Sequence, residues 1–343
     1  MDAATCYSPG FIVLQERLVV HLPGDAPGPE WVSIECASKE AYGCGELGER
    51  LLGGLTIHVR RLGYSVLNSS LSIRLSHAAL RSIQAELGVP GEFQGAEDCL
   101  PEVDGAIKIA SREVLVLMVI FLRRNQTKRT YYLVYDAKDA SLYMIPYIPR
   151  DLEATFSLTP VPARPAGGQG HELALIARKF WPQRAERGRL CVCTPVTRTS
   201  YSTGPWETKV HRFPELPQAF SADVMFSLED KVFWADLSQG VAYTDLRDGS
   251  CSSVFIKLPR GCRIDLSALP TDARIEPPDM SRTMGCVEGS IKFVCITRGM
   301  TRRPGSEIVK VWTLDLDRQE WKRRAFLACG KISGSKPARW MPI

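Results

Sequence analysis

The stretch from Asp223 to Asp248, DVMFSLEDKVFWADLSQGVAYTDLRD, leaves no room for a helix. Val224 to Phe226 form a short apolar run, and Glu229-Asp230 supplies a turn. Val232 to Ala235 form a second run, Ser238-Gln239-Gly240 turns again, and Val241 to Thr244 return. Short β-branched and aromatic runs punctuated by turn residues predict an antiparallel meander.

The same pattern occurs twice more. Tyr131 to Asp136 (YYLVYD) precedes the polar Ala137 to Ala140 and then Leu142 to Ile145. Val309 to Asp315 (VKVWTLD) precedes Leu316 to Glu320 and then Trp321. Each copy is an aromatic-rich strand ending in Asp136, Asp236 or Asp315, where a short carboxylate caps backbone N–H groups of a turn. An apolar residue followed by Pro marks further strand ends at Ile145-Pro146, Phe213-Pro214 and Leu258-Pro259, because Pro lacks the donor a central strand needs. Leu173 to Ile176 is expected to pair with Leu190 to Thr194, and Val287 to Ile296 to cross a turn at Glu288-Gly289. Starts near 111, 171, 221 and 283 imply units of roughly 50–60 residues, against about 40–50 for a propeller blade. The pairs Gly53-Gly54 and Gly167-Gly168 also occur in one propeller repeat type.

The expected fold is therefore all-β, mainly antiparallel meanders, as a propeller-like repeat of four-stranded blades in a single domain over 1–343. Residues 111–327 hold the repeated hairpins. Residues 1–110 hold strands at Phe11 to Leu22, Trp31 to Cys36, Leu55 to Val59 and Leu71 to Leu75. One short helix is expected at Ser76 to Leu87, with Ala79, Leu80, Ile83 and Leu87 on one face and Gly88 as its stop. Residues 89–106 and 159–170 read as loops, and Gly24 to Glu30 as a surface turn.

Composition agrees with a packed globular chain: 343 residues, 45% hydrophobic and 24% charged. The net charge of +5 is a mild excess that does not by itself make a nucleic-acid binder. Asp2, Glu16 and Arg17 interrupt the first twenty residues, so a secretory signal is not expected. The apolar run Val114 to Leu122 is too short to span a bilayer and reads as a buried strand.

The 11 cysteines are odd in number and scattered, which argues for reduced core thiols rather than a disulfide framework. Cys191 and Cys193 share a face of one strand, yet neither a second pair nor a histidine at ligand spacing follows. No phosphate loop, dinucleotide-binding glycine motif, nucleophile elbow or zinc-protease motif occurs. His21, His58, His77, His171 and His211 read as partly exposed structural residues, and Glu229-Asp230 and Asp315/Asp317 as solvated turn residues. No catalytic, cofactor-binding or metal-binding residue is assigned, and no cofactor is expected. The sequons at Asn68 and Asn125 carry weight only in a secreted chain.

Basic clusters lie at Arg123-Arg124 with Lys128-Arg129, at 178–189, at Arg302-Arg303 and at Lys322 to Arg324. The second, RKFWPQRAERGR, mixes Arg with Phe180 and Trp181 as a nucleic-acid surface does, but a solvated loop between strands explains it as well.

Three blocks together resemble a known family: DVMFSLEDKVFWADLSQGVAYTDL ending at Leu246, SRTMGCVEGSIKFVCIT from Ser281, and KVWTLDLDRQEWKRR from Lys310. They are similar to the plant domain of unknown function 1618 (DUF1618), a family expanded in grasses. GFIVLQERLVV and YYLVYDAKDASLYMIPYIP extend the resemblance over nearly the whole chain. The family has no established function and no site residues to carry over. Its pattern is similar to the propeller-like associated domains of plant F-box proteins, although residues 1–50 here hold no recognisable F-box helices. The resemblance implies a plant protein of the cytoplasm or nucleus.

The functional expectation is a non-enzymatic protein-interaction module with loops on a β-propeller-like scaffold. The alternatives are a small-molecule-binding or enzymatic propeller using a central channel, and a substrate-recruiting component of a ubiquitin ligase. A protein partner is expected; a membrane is not, and nucleic acid is disfavoured.

Overall fold

The computed structural model describes residues 13–14, 17–25, 27–60, 68–87, 101–111, 113–123, 128–148, 156–157, 159–164, 171–178, 189–194, 205–209, 216–217, 220–247, 253–264, 278–297 and 308–328. These residues are mostly β and fall into two compact units, one built mainly from residues 1–152 and the other mainly from residues 153–193 and 207–341.

In the first unit the chain runs β1 (Val13–Leu14), β2 (Val19–His21), β3 (Trp31–Ile34), β4 (Ser38–Ala41), α1 (Gly45–Gly53), β5 (Leu55–Arg60), β6 (Asn68–Leu75) and α2 (His77–Leu87). It continues with β7 (Glu102–Ala110), β8 (Val114–Leu122), β9 (Lys128–Asp136) and β10 (Ser141–Pro146). One sheet has the order β1-β6-β5-β3, with β2 also paired to β6. The other has the order β4-β10-β9-β8-β7, in which β4 lies parallel to β10. Alternation along the strands explains their shared core. Leu55, Ile57, Leu71, Ile73 and Leu75 pack with Leu51 and Leu52 of α1 and with Leu80 and Ile83 of α2. Leu115, Leu117, Val119 and Phe121 of β8 point into the same core, as the apolar run predicts.

Two helices stand where one is expected. The helix α2 matches its sequence signal: the Ser76 hydroxyl accepts the Ala79 N–H at 3.2 Å as an N-cap. The helix α1 escapes prediction because Gly45, Gly48 and Gly53 lower its intrinsic propensity, and tertiary burial of Leu51 and Leu52 overrides that deficit. The Gly53-Gly54 pair closes this helix and is no blade mark. A side chain at Gly54 would fall 2.2 Å from the Ser76 hydroxyl, so glycine there lets the start of α2 approach. The expected loop 89–106 ends early, because β7 begins at Glu102, and Val161–Ala163 within the expected loop 159–170 is a strand. The expected strand at Trp31 to Cys36 stops at Ile34.

The second unit holds β11 (Phe156–Ser157), β12 (Val161–Ala163), β13 (Glu172–Arg178), β14 (Arg189–Cys193) and β15 (Trp206–Lys209). Then follow β16 (Val224–Leu228), β17 (Lys231–Asp236), β18 (Gly240–Asp245), β19 (Ser253–Lys257), β20 (Arg282–Val287), β21 (Ser290–Thr297), β22 (Ile308–Asp315) and β23 (Glu320–Ala328). They form three antiparallel sheets in sequence order. The expected hairpins occur in the expected register: Leu173 opposes Cys193, and Val287 opposes Ser290 across Glu288-Gly289. Both of those turn residues have positive φ, the conformation a two-residue hairpin turn requires. The first and second of the expected units start near 102 and 156–161, earlier than the strand signals at 111 and 171 suggest.

The sheet β16–β19 is buried on both sides. Val232 and Trp234 of β17 enter one core with Ala174, Ile176, Leu190 and Val192, while Phe233 and Ala235 enter another with Met284, Phe293 and Trp312. Such a strand reads as a continuous apolar run, which is why KVFWAD is so legible. Burying Trp234 and Phe233 stabilises by about 1.5–3 kcal/mol each. The strands that open successive sheets also touch: β12 meets β16, and β16 meets β20.

The turn after β17 ties these parts together. Asp236, 2% exposed, accepts the Ser238 N–H at 2.8 Å, the Gln239 N–H at 3.0 Å and the Ser221 N–H at 3.0 Å, together with the Ser238 hydroxyl and the Gln239 amide. Asp223 answers by accepting the Leu237 N–H at 2.7 Å. The turn's own carbonyls accept Arg282 Nη1 at Leu237, the Ile264 N–H at Ser238 and the Leu258 N–H at Gln239. The Asp136 and Asp315 carboxylates cap their turns more simply, accepting the N–H of Lys138 and of Arg318.

Two pairs of substitutions check this account. Asp236→Asn swaps acceptor capacity for donors in a site where all the neighbours donate. It is expected to lower stability by about 2–4 kcal/mol in urea unfolding. Asp223→Asn keeps one accepting oxygen for Leu237. Because burial, with Asp236 and Asp279 nearby, raises the Asp223 pKa, this change is expected to be neutral or stabilising at pH 7. A side chain at Gly240 would sit 2.4 Å from the Ile256 carbonyl oxygen, so Gly240→Ala is expected to cost about 1–3 kcal/mol. Gly285 faces open space, and Gly285→Ala is expected to leave the unfolding midpoint unchanged or raise it.

Candidate functional site

The first sheet has a second face, opposite the helices, and it is polar. Period-two alternation places His21 of β2, Trp31 and Ser33 of β3, His58 and Arg60 of β5, and Ser70, Ser72 and Arg74 of β6 on it. The registers bring these residues side by side: His58 opposes Ser72 and Ser33, Arg60 opposes Ser70 and Trp31, and His21 opposes Arg74.

Three of its polar residues are deeply buried, Ser72 at 0%, Ser70 at 4% and His58 at 8% exposure. The Ser72 hydroxyl, His58 Nδ1 and His21 Nε2 have neither surface nor a hydrogen-bond partner, and Arg60 Nε also lacks one. Burying such atoms unpaired costs about 1–3 kcal/mol each, so a native structure that gathers several on one face calls for an explanation. The His21 and Trp31 rings meet edge to face at 5.3 Å, and the Arg60 guanidinium lies 5.9 Å from the Trp31 ring centroid. Glu30 stands 3.7 Å from Arg60 Nε as its counter-charge. Burial first, then the nearby His21 and Arg74, pushes the His58 pKa down, so its imidazole is neutral at pH 7. The arrangement sets two arginines and two imidazoles on one face beside the Trp31 ring.

The residues weighed from sequence lie elsewhere or behave differently. Cys191 and Cys193 are both buried on β14, and among the described residues no three His, Cys, Asp or Glu side chains gather as a metal group. His58 and His171 are buried, at 8% and 4% exposure, rather than partly exposed. His77 is exposed at the start of α2, and His211 lies outside the described residues. Asp230 is not a solvated turn residue: it is 4% exposed and ion-paired with Arg247, whose chain folds back across the hairpin. Asp315 pairs with Lys322 at 2.6 Å across β22 and β23, which lowers its pKa. Arg129 pairs with Glu86 at 2.9 Å, and Arg123 donates to the Leu87 carbonyl at the end of α2, so that cluster anchors a helix. Residues 179–188 with Phe180 and Trp181, the pair Arg302-Arg303, Phe213-Pro214, Gly167-Gly168 and Asn125 lie outside the described residues. No helix among the described residues is long and apolar enough to cross a membrane.

Comparison with known proteins bears on the C-terminal third. Residues 234–342 match the model of a family described as "Protein of unknown function (DUF1618)". The match takes in the blocks from Ser281 and Lys310 and the latter part of the block ending at Leu246, and leaves out the stretches before Trp234. No curated protein matches the chain. Nine solved chains do. One of them belongs to the complex structure of the fission yeast SREBP–SCAP binding domains, with 12% identity and a TM-score of 0.25 over 73% of this chain. This chain spans 57% of that one.

The lowered His58 pKa has a measurable consequence. Below the ordinary histidine value of 6.5 the unfolded chain takes up a proton that the folded chain refuses. The contribution of His58 is therefore fully present above that pH and is lost as pH falls through its lowered folded value. The difference in unfolding free energy between the native chain and His58→Gln is expected to be flat above pH 7 and to shrink below it; equal slopes at all pH would contradict the burial seen here.

Proposed function

We propose that this chain, a DUF1618-domain protein over residues 234–342, is a non-enzymatic protein-interaction module built on a propeller-like scaffold. One observation carries the reading: three antiparallel sheets follow one another in sequence, and their opening strands touch, β12 to β16 and β16 to β20. Blades around a propeller axis stack in this way, with the first strand of each innermost. The doubly buried β17 and the clamp at Asp236 make that stack rigid, and loops on a rigid scaffold are where such folds carry recognition. On this reading it is a plant protein of the cytoplasm or nucleus, which is what the resemblance to that family implies. Met280, just before β20, and Ile296 of β21, whose N–H donates to the Ser281 carbonyl, are exposed apolar side chains at 64% and 39%, suited to a partner's apolar anchor.

The test has two stages. The tagged full-length chain is used to capture proteins from plant extract at moderate salt, and each retained protein is purified and titrated against it. Direct, saturable binding weakened at least roughly tenfold by Met280→Asp is the expected result. A folded bait that binds none of the retained proteins directly would overturn the reading. Direct binding of a ligase adaptor would instead support a substrate-recruiting role in ubiquitin ligation.

A further inference from the structure

The polar face of the first sheet holds a set of groups that the interaction reading does not use. We propose that His21, His58, Arg60 and Ser72 form a binding site for a small tetrahedral oxyanion, a phosphate or a phosphate monoester.

The chemistry of the four groups points to an anion. The Ser72 hydroxyl and the Arg60 Nε–H are donors, each imidazole has a tautomer that presents an N–H at its unpartnered nitrogen, and all four atoms lack a hydrogen-bond partner. A tetrahedral oxyanion offers only acceptors and has several to share, and bonds to such a charged acceptor are roughly twice as strong as neutral ones. Charge agrees: Arg60 and Arg74 both lie on this face, and Glu30, ion-paired with Arg60, stands 3.7 Å from its Nε. A metal ion would meet the same Arg60 and Arg74 as repulsion. The burial of Ser72 and His58 places these donors in a low-dielectric setting, where bonds to an anion are strongest.

The site is closed. The unpartnered atoms have no exposed surface, and the His21 ring packs edge to face against Trp31. These two residues bracket the short connection from β2 to β3, which turns at Gly24 with φ +105°. Entry of an anion requires that their rings part, so binding alters the surroundings of the Trp31 indole.

The experiment uses the full chain at constant ionic strength, with chloride as the reference ion. Inorganic phosphate, sulfate and O-phosphoserine are titrated by calorimetry and by thermal unfolding. Phosphate is expected to bind saturably and raise Tm, with a tryptophan fluorescence change that Trp31→Phe abolishes. Tighter binding of O-phosphoserine than of phosphate would identify a monoester as the ligand, and the reverse would identify the free ion. Ser72→Ala removes an unpaired hydroxyl, so it is expected to keep or raise the Tm of the free protein while weakening phosphate binding roughly tenfold. Arg60→Gln is expected to weaken it similarly and decides the matter if Ser72→Ala does not fold. Arg323→Gln with Arg324→Gln, in the basic cluster of β23, is expected to leave binding unchanged. Absence of saturable binding, or binding equal in Arg60→Gln and the native chain, would overturn the proposal. So would loss of binding only in the β23 variant.

Discussion

Sheets joined by tight turns hold together only if each turn fixes its register, because a slip of one residue would carry every buried side chain to the opposite face. In this chain that constraint falls on carboxylates. Asp236 gathers backbone and side-chain donors from its own turn and from Ser221, so the strand before it and the strand after it cannot shift independently. The carbonyls of the same turn then hold Arg282, Ile264 and Leu258. One three-residue connection therefore fixes the sheet it belongs to and the start of the next. The two cores on either side of β17 depend on it, since Trp234 and Phe233 reach opposite cores only in this register.

The two units solve the packing problem differently. In the second, sheet packs on sheet and the cores lie between successive meanders. In the first, two helices cover one face of a sheet and share a core with β8, β9 and β10. Covering one face with helices leaves the other to be finished by its own side chains. There the chain places histidines, arginines and serines beside Trp31. The polar face is thus a product of the layer arrangement as much as of its residues.

Strand by strand, legibility followed the number of buried faces. KVFWAD and VLVLMVIFL announce themselves because both of their faces are inside, and Glu288-Gly289 announces its hairpin through turn chemistry. The helix α1 stayed hidden because its glycines argue against a helix, while the burial that outweighs them comes from residues far along the chain. The polar face was less legible still. His21, His58 and Ser72 come from three strands, and each sits in an ordinary alternating pattern. Only the registers of β2, β5 and β6 bring them together, and register is a tertiary fact. Asp230 misled for a related reason, since the arginine that buries its charge lies across a hairpin.

The parallel pairing of β4 on β10 sets Ser38 against Ser141. Every other strand of that sheet joins its sequence neighbour through a short connection, so the β7–β10 meander can assemble locally and fast. Its last edge waits for a strand made long before it, and closing so long a loop is slow compared with zipping a hairpin. Until that happens, the unpaired side of β10, with Leu142 and Met144 in its apolar run, is a ready template for another chain. Nascent chains of this protein are therefore most prone to mispairing after β10 emerges and before Ser38–Ala41 docks, which makes that strand a lock on assembly as well as part of the sheet.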